Sequence, residues 1–280
     1  MRIGTHVSIS GGIYNAPKNA ARVGAEVFQI FTRSPLGGPP PEITNHVKKK
    51  FQEEMKIRGF DTFYIHAPYF INLASEKNNI FFGSVSIIRQ ELERGNLLGA
   101  RAVITHIGSY RESGKEKGIE KVVSGIHKIL DGYEGKTKLY LEISAGAGNE
   151  VVGGSFEELA EIIFHPKIKK YNLDICFDSC HAFASGYDLR TKKTVLEVLD
   201  NFDKVIGLDK IAVVHVNDSK GDIGKRLDRH DHIGKGKIGL EGFKVMLKQD
   251  ELSKLDWILE TPKHSPADDL KNIAILKKYQ

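Results

Sequence analysis

An α/β fold, specifically a TIM (β/α)₈ barrel formed as a single domain over residues 1–280, is the architecture this sequence predicts. Three observations predict it. Eight short apolar runs alternate with helical patterns along the whole chain. Those runs end near His6, Phe31, His66, His106, Glu142, Asp178, His215 and Glu260, between 25 and 45 residues apart, which leaves room for one helix in each interval. Seven of the runs close on a histidine or a carboxylate, at the strand ends where such barrels assemble their active sites.

The first run, Arg2 to His6, precedes a helical pattern over Tyr14 to Val23. The second ends near Phe31 and leads to a helix over Ile43 to Arg58, with Val47, Phe51, Met55 and Arg58 at helical spacing. Phe63-Tyr64-Ile65 ends on His66, and a long helix over Asn79 to Leu98 follows. Ala102 to Thr105 ends on His106, before a helix over Ile119 to Leu130. Leu139-Tyr140-Leu141 ends on Glu142; the next helix, Phe156 to Phe164, is opened by Ser155 and Glu158 at capping-box spacing. Ile175-Cys176-Phe177 ends on Asp178, with His181 three residues on and a helix over Thr194 to Phe202. Ile211 to Val214 ends on His215, Asp228 and His230 fall in the loop beyond it, and a helix covers Leu240 to Leu247. Trp257-Ile258-Leu259 ends on Glu260, and Ala267 to Lys278 forms the last helix.

Composition sets the setting. Apolar residues make up 40% of the chain, enough for a sizeable core. The formal net charge of +5 suits an anionic partner and also suits an ordinary solvated surface. Two cysteines, Cys176 and Cys180, form neither a disulfide framework nor a C-x-x-C pair, so a reducing, cytoplasmic setting is expected. No signal-peptide pattern opens the chain, and no stretch approaches the roughly 20 apolar residues of a membrane span, so a soluble protein is expected. Nothing in the sequence marks an assembly surface, and a monomer is the simplest expectation.

Five histidines (His66, His106, His181, His215, His230) and four carboxylates (Glu142, Asp178, Asp228, Glu260) form a nine-residue ligand set. Zinc takes nitrogen and oxygen donors, usually three or four from protein, so this set suits two to three ions once one carboxylate bridges. Three divalent ions against four carboxylates leave about +2, a charge that attracts an anion. A zinc-held water ionises near ~7, and neighbouring ions stabilise incoming and leaving oxygens, so metal-assisted phosphoester hydrolysis is the reaction class expected. His6 also ends a strand and reads as a residue that orients a ligand or phosphate; His46, His127 and His165 read as surface residues.

Three segments carry a family resemblance. They are His66-Ala67-Pro68-Tyr69-Phe70-Ile71-Asn72-Leu73-Ala74, Cys176-Phe177-Asp178-Ser179-Cys180-His181, and His215-Val216-Asn217-Asp218-Ser219-Lys220 running on to Asp228-Arg229-His230 and Gly234-x-Gly236. With His6-Val7-Ser8, Gly11-Gly12 and Glu260-Thr261-Pro262, the chain resembles the endonuclease IV family of apurinic/apyrimidinic (AP) endonucleases over its whole length. The resemblance implies three zinc ions: His66 and His106 on the first, with Glu142 bridging to the second; Asp178, His215 and Glu260 on the second; His181, Asp228 and His230 on the third. It implies hydrolysis of the phosphodiester 5′ to an abasic site in duplex DNA, with Glu142, Asp178 and Glu260 holding the nucleophile, and trimming of blocked 3′ ends. It also implies DNA bending with side chains wedged from the minor groove, for which Tyr69 and Phe70 are placed, and phosphate contacts for which Arg33, Lys220 and Arg229 are candidates.

One stretch departs from the family. After Phe31-Thr32-Arg33-Ser34 the chain continues Pro35-Leu36-Gly37-Gly38-Pro39-Pro40-Pro41, with Leu36 where the resemblance implies an inserting arginine, and without the aromatic residue expected nearby. The alternative function on the same barrel is a metal-dependent sugar isomerase or epimerase, whose one or two ions are held mainly by carboxylates. Five histidines and the Asp228-x-His230 pair exceed what that chemistry needs. A third alternative is a binder of damaged DNA without catalysis, against which the complete ligand set argues.

Overall fold

A computed structural model describes residues 1–280, with every side chain but those of Glu112 and Asn149. Eight parallel strands close into a barrel: β1 (Arg2–His6), β2 (Phe28–Ile30), β3 (Tyr64–His66), β4 (Ala102–Thr105), β5 (Lys138–Glu142), β6 (Asp174–Asp178), β7 (Ile211–His215) and, after a two-stranded ribbon of β8 (Asp218–Ser219) and β9 (His230–Asp231), β10 (Asp256–Leu259). The helices surround it: α1 (Ala16–Arg22), α2 (Asn45–Arg58), α3 (Asn78–Leu98), α4 (Lys115–Leu130), α5 (Phe156–Ile163), α6 (Ser179–Ala184), α7 (Lys192–Val205), α8 (Gly239–Leu247) and α9 (Pro266–Tyr279). Among the described residues, no helix is long and apolar enough to cross a membrane.

Side-chain alternation divides the core into two compartments. Residues such as Ile65, Val103, Leu141, Ile175 and Val214 point outward and pack with the helices. Inside the barrel, Val27, Tyr64, Ile104, Tyr140, Cys176, Val213 and Ile258 fill the lower layers. At the floor, the Tyr64 hydroxyl donates to Asp256 at 2.7 Å, and Arg2 donates to both oxygens of the same carboxylate, at 2.8 and 3.0 Å. Gly4 of β1 passes so close to β2 that a Cβ would lie 1.6 Å from the carbonyl oxygen of Val27. The floor is thus closed, and the polar residues at the strand C-termini face a single open end.

Boundaries differ from the sequence reading where caps act. β2 ends at Ile30, one residue before Phe31. α7 begins two residues earlier than its apolar periodicity indicates, because Thr191 and Thr194 form a reciprocal cap. The box expected at Ser155 is only half formed. The Ser155 hydroxyl accepts from Glu158 N at 3.3 Å, but the Glu158 carboxylate accepts from Gly153 N and Gly154 N and pairs with Lys115 at 2.9 Å. The short helix α6 and the β8–β9 ribbon have too few residues for a periodic signal, and both carry ligands.

Candidate metal centre

The nine ligand-type residues converge at the open end of the barrel. Parallel register sets most of them level: Asp178 of β6 pairs with His215 of β7, and His215 with Ile258 of β10, two residues before Glu260. His181 arrives by local geometry. The Asp178 carboxylate caps α6 by accepting from His181 N at 2.8 Å, so the chain turns at once into a helix and brings His181 back over the strand end. His230 arrives through the ribbon, in which Ser219 pairs with His230. That ribbon is anchored by Asp218, which accepts from Gly236 N and Ile238 N at 3.0 and 2.9 Å. Gly236 has to be glycine there, because a Cβ would lie 2.4 Å from Ser219 O.

Glu142 is the centre of the cluster and is fully buried. Its Oε2 lies 3.1 Å from His66 Nε2 and 3.5 Å from His106 Nδ1; its Oε1 lies 2.8 Å from His215 Nδ1 and 3.4 Å from His181 Nδ1. Glu260 reaches His215 at 3.3 Å, and Asp228 stands 3.3 Å from His181 and 3.4 Å from His230. Mutual distance groups His66, Glu142, His215 and Glu260; His106, Glu142 and His181; and Asp178, His181 and His230. His181 therefore neighbours both the Glu142 side and the Asp228 side; of the grouping implied by the resemblance, His181, Asp228 and His230 lie within 3.5 Å of one another, whereas proximity places Asp178 with His181 and His230, and His66 with His215 and Glu260.

The imidazoles are oriented as metal ligands require. His66 and His181 each give Nδ1–H to a carbonyl, of Ala67 at 2.6 Å and of Ile143 at 3.0 Å. His230 gives Nδ1–H to the carbonyl of Glu260 at 3.1 Å, and His215 gives Nε2–H to Gln29 Oε1 at 2.9 Å. With one nitrogen of each ring so committed, the other turns a lone pair to the cluster. The Nε2 atoms of His181 and His230 then face each other at 3.5 Å. A proton on His181 occupies that gap in the metal-free protein, and a divalent metal ion would take its place. The donor set of imidazoles and carboxylates fits zinc. Cys176 adds no thiolate, because burial pushes its pKa up to about 12.

The electrostatics are those of a site prepared for cations. Burial would raise the Glu142 pKa, but His106 and His215 hold it well below the usual range. Glu260, against the same burial, is held at about 2 by His215 and His66. Burial opposes charge on His181 and His215, yet both are raised well above the ordinary imidazole value: His181 by Asp178, Asp228 and Glu142, and His215 by Cys176, Glu260 and Glu142. Two ionised carboxylates, Glu142 and Glu260, are thus balanced by protons on His181 and His215, the charge that metal ions would replace.

Gln29 and Asn217 carried no assignment in the sequence reading. Gln29 Nε2 donates to Glu260 Oε1 at 2.6 Å and to His6 Nδ1 at 3.0 Å, so His6 meets Glu260 through Gln29. Burial pushes the His6 pKa down to about 3, which keeps the ring neutral as an acceptor. Asn217 Nδ2 donates to Asp178 at 2.7 Å, and its Oδ1 accepts from Glu260 N at 2.8 Å. The signals were present: Gln29 is the one polar residue in the Val27 to Phe31 run, and Asn217 lies within the His215 motif.

The DNA-contact candidates separate. Phe70, 42% exposed, stands open to solvent, whereas Tyr69, 61% exposed, also packs edge-on against Phe31 with ring centres 5.2 Å apart; both line a cavity of about 510 Å³ with His106, His181 and Asp228. Lys220 and Arg229 are exposed at the ends of the ribbon. Arg33 is a correction. It is buried, with its Nε 2.5 Å from Glu91 and its Nη2 donating to Gln90 at 3.1 Å, so its charge is committed inside the protein and does not face a phosphate. Of the other histidines, His46 and His264 are exposed, His165 is partly buried, His127 bonds Tyr171 at 2.8 Å, and His232 accepts from Asn272 at 3.0 Å.

Comparison with known proteins agrees with this architecture. The family described as a xylose isomerase-like TIM barrel matches residues 17–279. The probable endonuclease 4 of Nitrosopumilus maritimus is 41% identical over 285 residues, covering 100% of both chains. The crystal structure of endonuclease IV from Thermus thermophilus is 35% identical with a TM-score of 0.88, covering 100% of this chain and 98% of that one. A D-tagatose 3-epimerase-like protein, 23% identical with a TM-score of 0.75 over 100% and 97% of the two chains, shares the fold. Full-length identity at this level, on a barrel with nine convergent ligand-type residues, makes this chain a member of the endonuclease IV family of AP endonucleases.

Proposed function

We propose that this protein is a DNA-repair endonuclease that hydrolyses the phosphodiester 5′ to an abasic site in duplex DNA, leaving a 3′-hydroxyl and a 5′-deoxyribose phosphate, and that it trims blocked 3′ ends by the same chemistry. The observation that carries this reading is the buried Glu142 with one oxygen toward His66 and His106 and the other toward His215, inside a cluster of oriented imidazoles. Three zinc ions are its cofactors: His66, His106 and Glu142 would hold the first; Glu142, Asp178, His215 and Glu260 the second; His181, Asp228 and His230 the third. Bound zinc supplies Lewis acidity, which lowers the pKa of water and offsets charge on phosphoryl oxygens.

The chain's own residues supply position. Glu142, Asp178 and Glu260 are the catalytic carboxylates that hold and orient the attacking water, and Gln29 and Asn217 fix two of them. Tyr69 and Phe70 wedge into the helix beside the lesion, where a missing base makes unstacking cheapest. Lys220 and Arg229 contact phosphates. Double-stranded DNA is thus the partner, and a monomer acting in the cytoplasm is the working form; two free thiols suit a reducing compartment. The sugar-isomerase alternative has only a likeness of fold in its support.

The test is incubation of the purified protein with a duplex carrying one abasic site, before and after prolonged chelation, with product ends mapped. Incision 5′ to the lesion that chelation abolishes and zinc restores is the expected result. No incision by a zinc-loaded sample, or one metal per chain by elemental analysis, contradicts the reading. Glu260→Gln should lower turnover by roughly 10³-fold or more while the barrel stays folded.

A further inference from the structure

The cavity at the metal centre does not end there. Phe70, Asn72, Ser109 and Arg111 line it and also line a second cavity of about 410 Å³ between the loops that follow β3 and β4. Glu76 in turn joins the second cavity to a third, of about 510 Å³, between the N-terminal turns of α3 and the outer face of α4. A continuous trough thus leaves the open end of the barrel and descends its flank.

The lining of that trough has a definite chemistry. Lys117, Lys121 and Lys128 fall at helical spacing on one side of α4, and Lys77 and Arg111 stand nearer the metal centre. Against these five cations the second and third cavities present two carboxylates, Glu76 and Glu120. None of the five makes an ion pair among the described residues, whereas Lys115 on the same helix is paired with Glu158 at 2.9 Å. Aromatic rings alternate with the charges. Lys121 lies 5.0 Å from the Phe81 ring centre and Lys128 5.7 Å from that of Phe82, and the rings of Phe82 and Phe70 are 51% and 42% exposed. At the junction with the metal centre, Arg111 holds a left-handed backbone (φ 43°), an unfavourable conformation for a residue with a side chain and one that clusters at functional sites.

A cationic groove interleaved with exposed rings is the arrangement that binds single-stranded nucleic acid, with lysines following the phosphates and bases stacking on the rings. Each cavity is of small-ligand size, about that of one or two nucleotides, and too small for a duplex. We propose that this trough is a second DNA site that takes an unpaired strand leaving the metal centre, with Arg111 at its entrance and Phe82 and the α4 lysines at its far end. The proposal rests on the endonuclease reading for the identity of the polyanion, and its test is separable from that reading.

The probe is an abasic duplex, either blunt or extended at one end by an unpaired oligothymidylate tail of about eight nucleotides, carrying an incision-resistant phosphorothioate 5′ to the lesion, with binding followed by fluorescence anisotropy on the metal-loaded protein. A tail at one end, and not at the other, should tighten binding about tenfold. The triple variant Lys117→Glu, Lys121→Glu, Lys128→Glu should lose that gain and lower the salt slope by about 2. Phe82→Ala should lose several-fold affinity for the tail with the salt slope unchanged. Circular dichroism verifies that each variant is folded. A wild-type affinity that ignores the tail, or a triple variant that keeps the gain, overturns the proposal; displacement of the tail by polyglutamate of equal length and concentration overturns it in favour of an acidic protein partner. Incision of the blunt duplex by the zinc-loaded protein, measured separately, reports on the endonuclease reading alone.

Discussion

Asn217 holds Asp178 in place: its carboxamide donates to the Asp178 carboxylate at 2.7 Å while its oxygen accepts from the backbone N of Glu260 at 2.8 Å. One neutral side chain therefore sets the separation of two ligand-bearing strand ends. Asn217→Ala should weaken metal binding by about 10- to 100-fold, the usual cost of removing a residue that orients a ligand. It should also destabilise the fold by about 1–3 kcal/mol, because a buried carboxylate loses a donor. Competition with a chromophoric chelator measures the first effect and thermal unfolding the second. Unchanged metal affinity would remove Asn217 from the site's architecture.

The protons on the cluster give metal binding a pH dependence of definite sign. His181 and His215 have pKa values raised well above the ordinary 6.5, so in the metal-free protein both carry protons near pH 7. Metal ions need neutral imidazoles, so binding must expel those protons and must strengthen as pH rises. Raised imidazole values stabilise the metal-free fold below pH 6.5, and this contribution is lost as pH rises through the folded values. Glu142 and Glu260, depressed below 4.5, act in the other direction: their contribution is present above 4.5 and lost on acidification. His6 and His106, pushed down by burial, partly offset the gain from their raised neighbours. Titration calorimetry of zinc into metal-free protein at pH 7, in two buffers of different ionisation enthalpy, should show release of more than about one proton per chain. Zero release would contradict protonated His181 and His215.

These residues also mark what was legible in the sequence. Strand ends were readable because a buried parallel strand is an apolar run and its polar terminus stands out, as at Ile104-Thr105-His106 or Leu141-Glu142. What joins the ligands to one another was not. Gln29 and Asn217 act through contacts to residues 231 and 39 positions away, which no local pattern records. The six-residue α6 and the two-residue strands of the ribbon are too short for periodicity, although they carry His181 and His230. Arg33 shows the opposite failure: its position after β2 reads as an exposed loop charge, and only the fold reveals Glu91 beneath it.

Leu36 lies where the family resemblance implies an inserting arginine, and its side chain is 91% exposed between Pro35 and a Gly37-Gly38 pair with φ of 112° and 96°. Nothing in the protein packs on it to a degree that would resist substitution. Leu36→Arg should therefore change stability by less than about 0.5 kcal/mol. The added cation should tighten binding to an abasic duplex and steepen the salt slope by about 0.9, one phosphate's worth. Affinity measured across a salt series tests this. A variant no tighter than the parent would mean that this loop does not approach the DNA.

Arg33 and Glu91 are both buried, 2.5 Å apart, with Thr32 also donating to the Glu91 carboxylate at 2.5 Å. Arg94 braces the same corner by donating to Thr32 and to the carbonyl of Pro41. The group ties the loop after β2 to α3, so its contribution is to stability and not to phosphate binding. Removing one member of a buried pair leaves the other charge without compensation, which typically costs about 3–5 kcal/mol. Arg33→Met, which keeps the length of the side chain, should lower the unfolding free energy by about that amount. The double variant Arg33→Met, Glu91→Met should recover only part of the loss, since it removes the orphaned carboxylate but takes from Arg94 its nearby counter-charge. The folded fraction of Arg33→Met should bind an abasic duplex with the parent's salt slope. A slope lower by about 0.9 in that fraction would restore Arg33 to the DNA surface.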